Sequence, residues 1–156
     1  MEKLVFDGRV RPAAAADLDV IAQMVSQLAQ HHGDVATVTR DELARDILGP
    51  QPWVRVLLAE ERGDVVGYAA LYPMAKMQFG ARGMEMHHLY VAPEARHKGV
   101  GKALTLASET LAHALGCRFL TVGTHPRNTV AQGIYRTLGF DPLDPPGPRF
   151  QVTIDA

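Results

Sequence analysis

The sequence predicts an α/β fold in which a mixed, mostly antiparallel sheet carries helices on both faces. Three observations lead there. The first half contains strand-like runs joined by short turns, with amphipathic helices interleaved. The second half reads strand, helix, strand, helix, strand. The 156 residues show no repeat, no low-complexity tract and no linker, so residues 1–156 are expected to form a single domain with a real core.

Each element has its own signal. Val5–Arg11 is a strand candidate ending before Pro12. Asp17 is a plausible N-cap for a helix to about His31, with Leu18, Ile21, Ala22, Val25, Leu28 and Ala29 at helical spacing. Thr39 and Glu42 form a capping box that opens a short helix to about Leu48, where Gly49–Pro52 stops it. The runs Trp53–Glu60 and Val65–Tyr72 flank residues 61–64, "ERGD", a hairpin loop. Residues 73–83 read as a longer connection to the strand Met84–Val91.

A helix over 99–115 follows, with Val100, Ala103, Leu104, Ala107, Leu111 and Leu115 on one face. Phe119–Val122 is a short strand, and Val130–Leu138 is a helix closed by Gly139. "DPLDPPGP" is a loop by composition, and the alternation of Phe150, Val152 and Ile154 predicts a final strand over Arg149–Ile154.

Composition bounds the function. With 47% apolar and 21% charged residues and a net charge of −1, no global field points to nucleic acid or membrane. The single Cys117 excludes an internal disulfide and a cysteine metal cluster. Without a signal-peptide pattern or a long apolar run, a cytoplasmic location is the expectation.

The anomaly is the start of the helix over 99–115. Gly99 and Gly101 weaken it, and Arg96, His97, Lys98 and Lys102 crowd an end that already carries about half a positive charge. An anion bound there would explain both, since first-turn N–H groups point outward and glycine lets phosphate oxygens approach. The plainer alternative is a glycine-rich turn with a solvated basic edge. A P-loop is excluded, because Arg96 stands five positions before Gly101 and Ala103 replaces the hydroxyl that binds magnesium. A dinucleotide fingerprint is excluded by Leu104 and by the absence of an acid in 119–122.

Arg96-x-x-Gly99-x-Gly101 resembles the R/Q-x-x-G-x-G/A signature of the GNAT N-acetyltransferases. "MHHLYVAPEAR" is similar to that family's fourth-strand segment, and "NTVAQGIYRTLGF" to its second motif. The resemblance covers residues 84–140. It implies the GNAT-like acyl-CoA N-acyltransferase fold and acetyl transfer from acetyl-CoA (coenzyme A) to a primary amine of a small molecule or protein, by direct attack in a ternary complex. A runner-up of another class is a non-catalytic acyl-CoA-binding sensor.

The resemblance implies that the backbone of Arg96, His97, Lys98, Gly99, Val100, Gly101 and Lys102 grips the cofactor pyrophosphate. Leu89, Tyr90 and Val91 would present backbone groups to the pantetheine and acetyl carbonyl, and Asn128 would contact the cofactor while capping its helix. Tyr135 matches the general-acid tyrosine. The base is left between Glu85 and His87. Strand alternation puts Glu85, His87 and Leu89 on one face and Met86, His88 and Tyr90 on the other unless a bulge intervenes, so the two histidines are expected to face opposite sides. No metal is expected. His31, His32 and Asp34 read as substrate contacts, and Lys76 and Arg82 as solvated. The segment "LYPMAKMQFGARGMEMHHLYV" loosely resembles the diamine and thialysine acetyltransferase branch, although acids stand in those relatives where His87 and His88 stand here. A homodimer is an expectation at the level of the family alone.

Overall fold

The computed structural model describes residues 5–155. The contacts divide the chain into two compact units, Met1–Gly123 and Thr124–Ala156. The larger unit is built on a five-stranded sheet in sequential order: β1 (Arg9–Pro12), β2 (Arg55–Glu61), β3 (Asp64–Lys76), β4 (Ala81–Val91) and β5 (Phe119–Val122). The first four strands are antiparallel, and β5 joins β4 in parallel through the crossover helix α3 (Val100–Ala114). Helices α1 (Leu18–His31) and α2 (Arg40–Leu48) precede β2.

The two sheet faces have separate cores. Ile21, Met24 and Leu28 of α1 pack on Val56, Leu58, Tyr68, Ala70 and Tyr90, with Leu43 and Ile47 of α2 against the same cluster. The opposite face takes α3, whose Val100 and Leu104 are buried over Gly67. A Cβ at Gly67 would lie 2.5 Å from the Tyr90 carbonyl oxygen and 3.4 Å from both side chains, so glycine sets how closely α3 approaches. Thr105 and Ser108 are buried in α3 and donate to the carbonyls of Gly101 and Leu104, both at 2.8 Å. Complete burial of side chains such as Leu58, Leu71 and Leu104 stabilises by about 2 kcal/mol each.

Several boundaries differ from the sequence expectation. The Trp53 and Val54 amides donate to the Asp46 carbonyl at the end of α2, at 2.9 and 3.1 Å, and β2 therefore starts at Arg55. Phe6 donates its amide to the Lys98 carbonyl, and β1 begins only at Arg9. Residues 73–83 are mostly strand: β3 and β4 pair as far as Lys76 opposite Ala81, around a 3-10 turn at Met77–Phe79. Pro73 is tolerated because β2 stops pairing at Leu71. Asp17 precedes α1 without capping it through its side chain. Its carboxylate instead receives the Ala14 amide and a two-pronged bond from Arg11. The capping box of Thr39 and Glu42 forms as read.

In the smaller unit, Asn128 caps α4 (Thr129–Thr137) by accepting the Ala131 amide at 3.1 Å. Gly139 takes φ +95° beyond the helix end, as its position predicts. The expected strand over 149–154 is absent. These residues have no regular structure, and Phe150, Val152 and Ile154 are exposed, since alternation alone supplies no partner strand. No described helix is long and apolar enough to cross a membrane.

Candidate active site

The site is organised by β4. Its pairing with β5 covers only Gly83–Met86, yet β4 runs on to Val91. Along Leu89–Val91 the edge away from β3 therefore has no ladder with β5, leaving polar backbone groups to face whatever binds there. The Tyr90 side chain is fixed elsewhere: it is buried, and its hydroxyl donates to Gln27 Oε1 at 2.6 Å. Its backbone is turned toward Gly67 and Tyr68 of β3, so the outward-facing backbone groups of this edge belong to Leu89 and Val91.

The chain then turns into α3. His97 and Gly99 adopt left-handed backbone, φ +65° and +93°, and Gly99 occupies the N-cap without any side-chain bond to the first turn. Such turns, followed by uncapped N–H groups, form anion-binding concavities. A Cβ at Gly99 would meet nothing within 4 Å, and one at Gly101 would make only ordinary contacts with Val91 and Leu89. The tip thus faces open space, which fits a diphosphate lying across it. Val100 is buried against the sheet, so its amide alone is available.

The cations divide their roles. Lys98 Nζ lies 3.9 Å from Glu61 Oε1, which draws its side chain toward the end of β2. Arg96 Nε donates to the Val91 carbonyl at 3.0 Å, tying the turn to the end of β4. Lys102 and His97 are exposed.

The two candidate bases, Glu85 and His87, lie beside a bulge in β4. Ala70 pairs with His88 but Leu71 pairs with Met86, leaving His87 as the extra residue. The expectation that His87 and His88 face opposite sides is therefore corrected: their rings stack with centroids 4.1 Å apart. The predicted grouping of Glu85, His87 and Leu89 is corrected too. Glu85 pairs with Tyr72 and shares the α1 face with His88 and Tyr90, whereas Leu89 pairs with Ala69 on the α3 face.

Around this bulge the side chains interlock. The Tyr72 hydroxyl donates to Glu85 Oε2, and Thr121 donates to Oε1 at 3.3 Å. The Tyr72 ring meets His87 edge-on at 5.6 Å. His88 Nδ1 shares a 3.0 Å hydrogen bond with the Tyr68 hydroxyl. Burial, with smaller contributions from His87 and His32, pushes the His88 imidazole down to about 4. Burial likewise raises the Tyr68 phenol, so both partners are neutral at pH 7. His87 makes ring contacts but no hydrogen bond among the described residues.

His87 and His88 also form part of the wall of a cavity of about 230 Å³. Most of its lining is apolar and comes from α1, α2, β2 and β3. Sequence reading missed this cavity along with Tyr68, Tyr72 and His88. The only advance signal was the doubled histidine in a strand, which does not announce a bulge. His31 and His32 lie with rings 5.6 Å apart at the end of α1, and the described residues contain no group of three or more metal-ligating side chains.

The remaining two sequence candidates lie in the smaller unit. Tyr135 is on α4 with its ring 5.5 Å from Phe140, and Asn128 is the cap described above.

The site thus combines a mostly antiparallel sheet, with one strand edge open, and an uncapped helix tip beside it. The profile of the acetyltransferase (GNAT) family matches residues 23–140, and the chain belongs to that family of acetyltransferases. YhfO, an uncharacterized N-acetyltransferase of Bacillus subtilis strain 168, is 27% identical over 141 residues, covering 85% of this chain and 89% of its own. Thialysine N-epsilon-acetyltransferase of Bos taurus is 26% identical over 144 residues, covering 86% and 84%. The crystal structure of a probable acetyltransferase has a TM-score of 0.79 at 23% identity, covering 95% of this chain and 99% of that one.

Proposed function

We propose that this chain is an acetyl-CoA-dependent N-acetyltransferase that acts on a primary amine by direct attack in a ternary complex. The observation that carries the reading is the placement of the open β4 edge, Leu89–Val91, between the uncapped tip of α3 and the histidine-bearing bulge. Acetyl-CoA would supply an acyl group already activated as a thioester. The N–H groups of Arg96–Lys102 would hold its diphosphate. The backbone of Leu89–Val91 would align the pantetheine and place N–H dipoles where charge develops on the acyl oxygen.

The amine must shed a proton first, because an alkylamine near pKa 10.4 is almost fully protonated at neutral pH. His87 is the better placed acceptor: it lies at the cavity wall with neither ring nitrogen bonded among the described residues, whereas the Glu85 carboxylate is held by Tyr72 and Thr121. Glu85 then serves to fix Tyr72 against His87. Tyr135, on the family resemblance, holds the proton that the leaving sulfur requires, and Asn128 contacts the cofactor. The name of the bovine relative supports an amine acceptor.

Thiol release from acetyl-CoA in the presence of an amine panel, together with calorimetric titration of acetyl-CoA, tests the reading. Amine-dependent release is expected. Absence of any heat of binding would overturn it, and binding without turnover would favour a sensor.

A further inference from the structure

We infer that the acceptor is a monoamine with an apolar body, aliphatic or arylalkyl, and that the cavity beneath the β4 bulge holds that body; this rests on the proposed transfer to an amine. Ile21 and Val25 of α1 and Leu43 and Ile47 of α2 form one side of the cavity. Val54, Val56, Tyr68 and Ala70 form the other. At about 230 Å³ the space exceeds the roughly 150 Å³ that encloses a benzene ring, so it accommodates a phenyl ring with a short linker or an alkyl chain of comparable size.

The polar groups in the wall argue against a second charge on the acceptor. Asp46 is the single carboxylate there, and both its oxygens are taken by Arg45, at 2.9 and 3.0 Å. His88 is half-buried and bonded to Tyr68 through its Nδ1. A dication would thus carry one ammonium into a mostly apolar space whose single carboxylate is already paired with Arg45, at a desolvation penalty. A monoamine places its one nitrogen at His87, where the bulge turns the imidazole to the cavity mouth beside the open strand edge, and buries only carbon behind it.

The experiment measures kcat/KM for n-alkylamines from propylamine to octylamine, for phenethylamine, and for putrescine and spermidine, with calorimetry of hexylamine against the protein saturated with coenzyme A. The expected result is a rise of about fourfold per added methylene until the cavity is full. Butylamine should exceed putrescine at least about tenfold, a factor within the range that even an uncompensated neutral polar group costs in an apolar site. Val25→Phe should fill the space, shifting the optimum to shorter amines while acetyl-CoA affinity persists. Turnover that is indifferent to chain length, or higher with putrescine, would overturn the inference and leave the transferase reading standing. Saturable hexylamine binding, lost in Val25→Phe, without any acetyl transfer would do the reverse. Neither binding nor turnover would bring down both.

Discussion

His87 and His88 are neighbours on one strand, yet their imidazoles stack at 4.1 Å with planes only 19° apart. A regular strand would separate them onto opposite faces. The extra residue inserted opposite Ala70 and Leu71 brings both rings to the α1 side, one bonded to Tyr68 and the other left with its nitrogens unengaged at the cavity wall. The bulge thus gives two identical side chains different surroundings, a half-buried, neutral His88 and an exposed His87, the base we propose.

The first prediction follows from that division. His87→Gln keeps a polar side chain but removes the proton acceptor, and kcat should fall by about a hundredfold or more, within the usual span for general acid–base groups. Glu85→Gln retains an acceptor for Tyr72 and should cost less than about tenfold. A reversed order of the two losses would move the base to Glu85.

His88 makes stability depend on pH. Its folded value of about 4 lies below the ordinary 6.5, so the unfolded chain binds the proton more readily. The stabilisation from its neutral, buried form is complete above about pH 6.5 and is lost as pH falls from there to about 4. Urea midpoints for wild type and His88→Gln should therefore converge on acidification across that window. A constant gap between them would show that the imidazole is not depressed.

What the sequence made legible was set by local signals. The capping box at Thr39 and Glu42, the N-cap at Asn128 and the left-handed Gly139 depend on residues three or four apart, and all three form as expected. The uncapped glycine turn at Gly99 was legible for the same reason. The bulge was not, because it is defined by register against Ala70 and Leu71, nearly 20 residues upstream. Asp17 illustrates a similar limit: its spacing suggested a helix cap, but Arg11 on the neighbouring strand supplies a stronger partner than backbone N–H groups. The apolar alternation over 149–154 failed because a strand also needs an unpaired neighbour.

That ion pair gives a stability prediction. The Asp17 carboxylate accepts three bonds, from Arg11 Nη1, Arg11 Nη2 and the Ala14 amide, while Arg11 Nε reaches Glu60 at 2.6 Å. These contacts tie β1 and β2 to the start of α1. Asp17→Ala should destabilise by about 2 kcal/mol, toward the low end of what removing a bonded charged partner costs, because the Arg11 side chain remains 24% exposed. The Arg11 guanidinium holds the Asp17 carboxyl below the usual carboxylate range. The deficit should thus be full above about pH 4 and shrink as pH falls through the lowered folded value. Chemical denaturation at pH 7 and pH 3 measures both effects.

Tyr135→Phe removes a hydroxyl and retains the ring that packs on Phe140. Turnover should fall by about a hundredfold, with acetyl-CoA affinity nearly unchanged, if this phenol supplies the proton to the leaving sulfur. An acetyl donor whose thiol has a lower pKa needs that proton less and should recover part of the loss. Undiminished turnover would assign Tyr135 to packing alone.

Gly99 tests the anion cradle most directly. At φ +93° a side chain is strained by roughly 1–2 kcal/mol, although nothing in the protein obstructs a Cβ. Gly99→Ala therefore imposes the backbone penalty with little bulk and without charge. Gly99→Glu adds a carboxylate at the position where the first-turn amides would meet phosphate oxygens. If the tip binds the diphosphate, Gly99→Ala should weaken acetyl-CoA binding by less than about tenfold, and Gly99→Glu by about a hundredfold or more, from like-charge repulsion at a partly desolvated site. The difference between the two should narrow as salt is raised, because part of the repulsion is screened. Equal losses would mean that Gly99 matters for its backbone alone, and unaltered affinity in both would place the phosphates away from this helix.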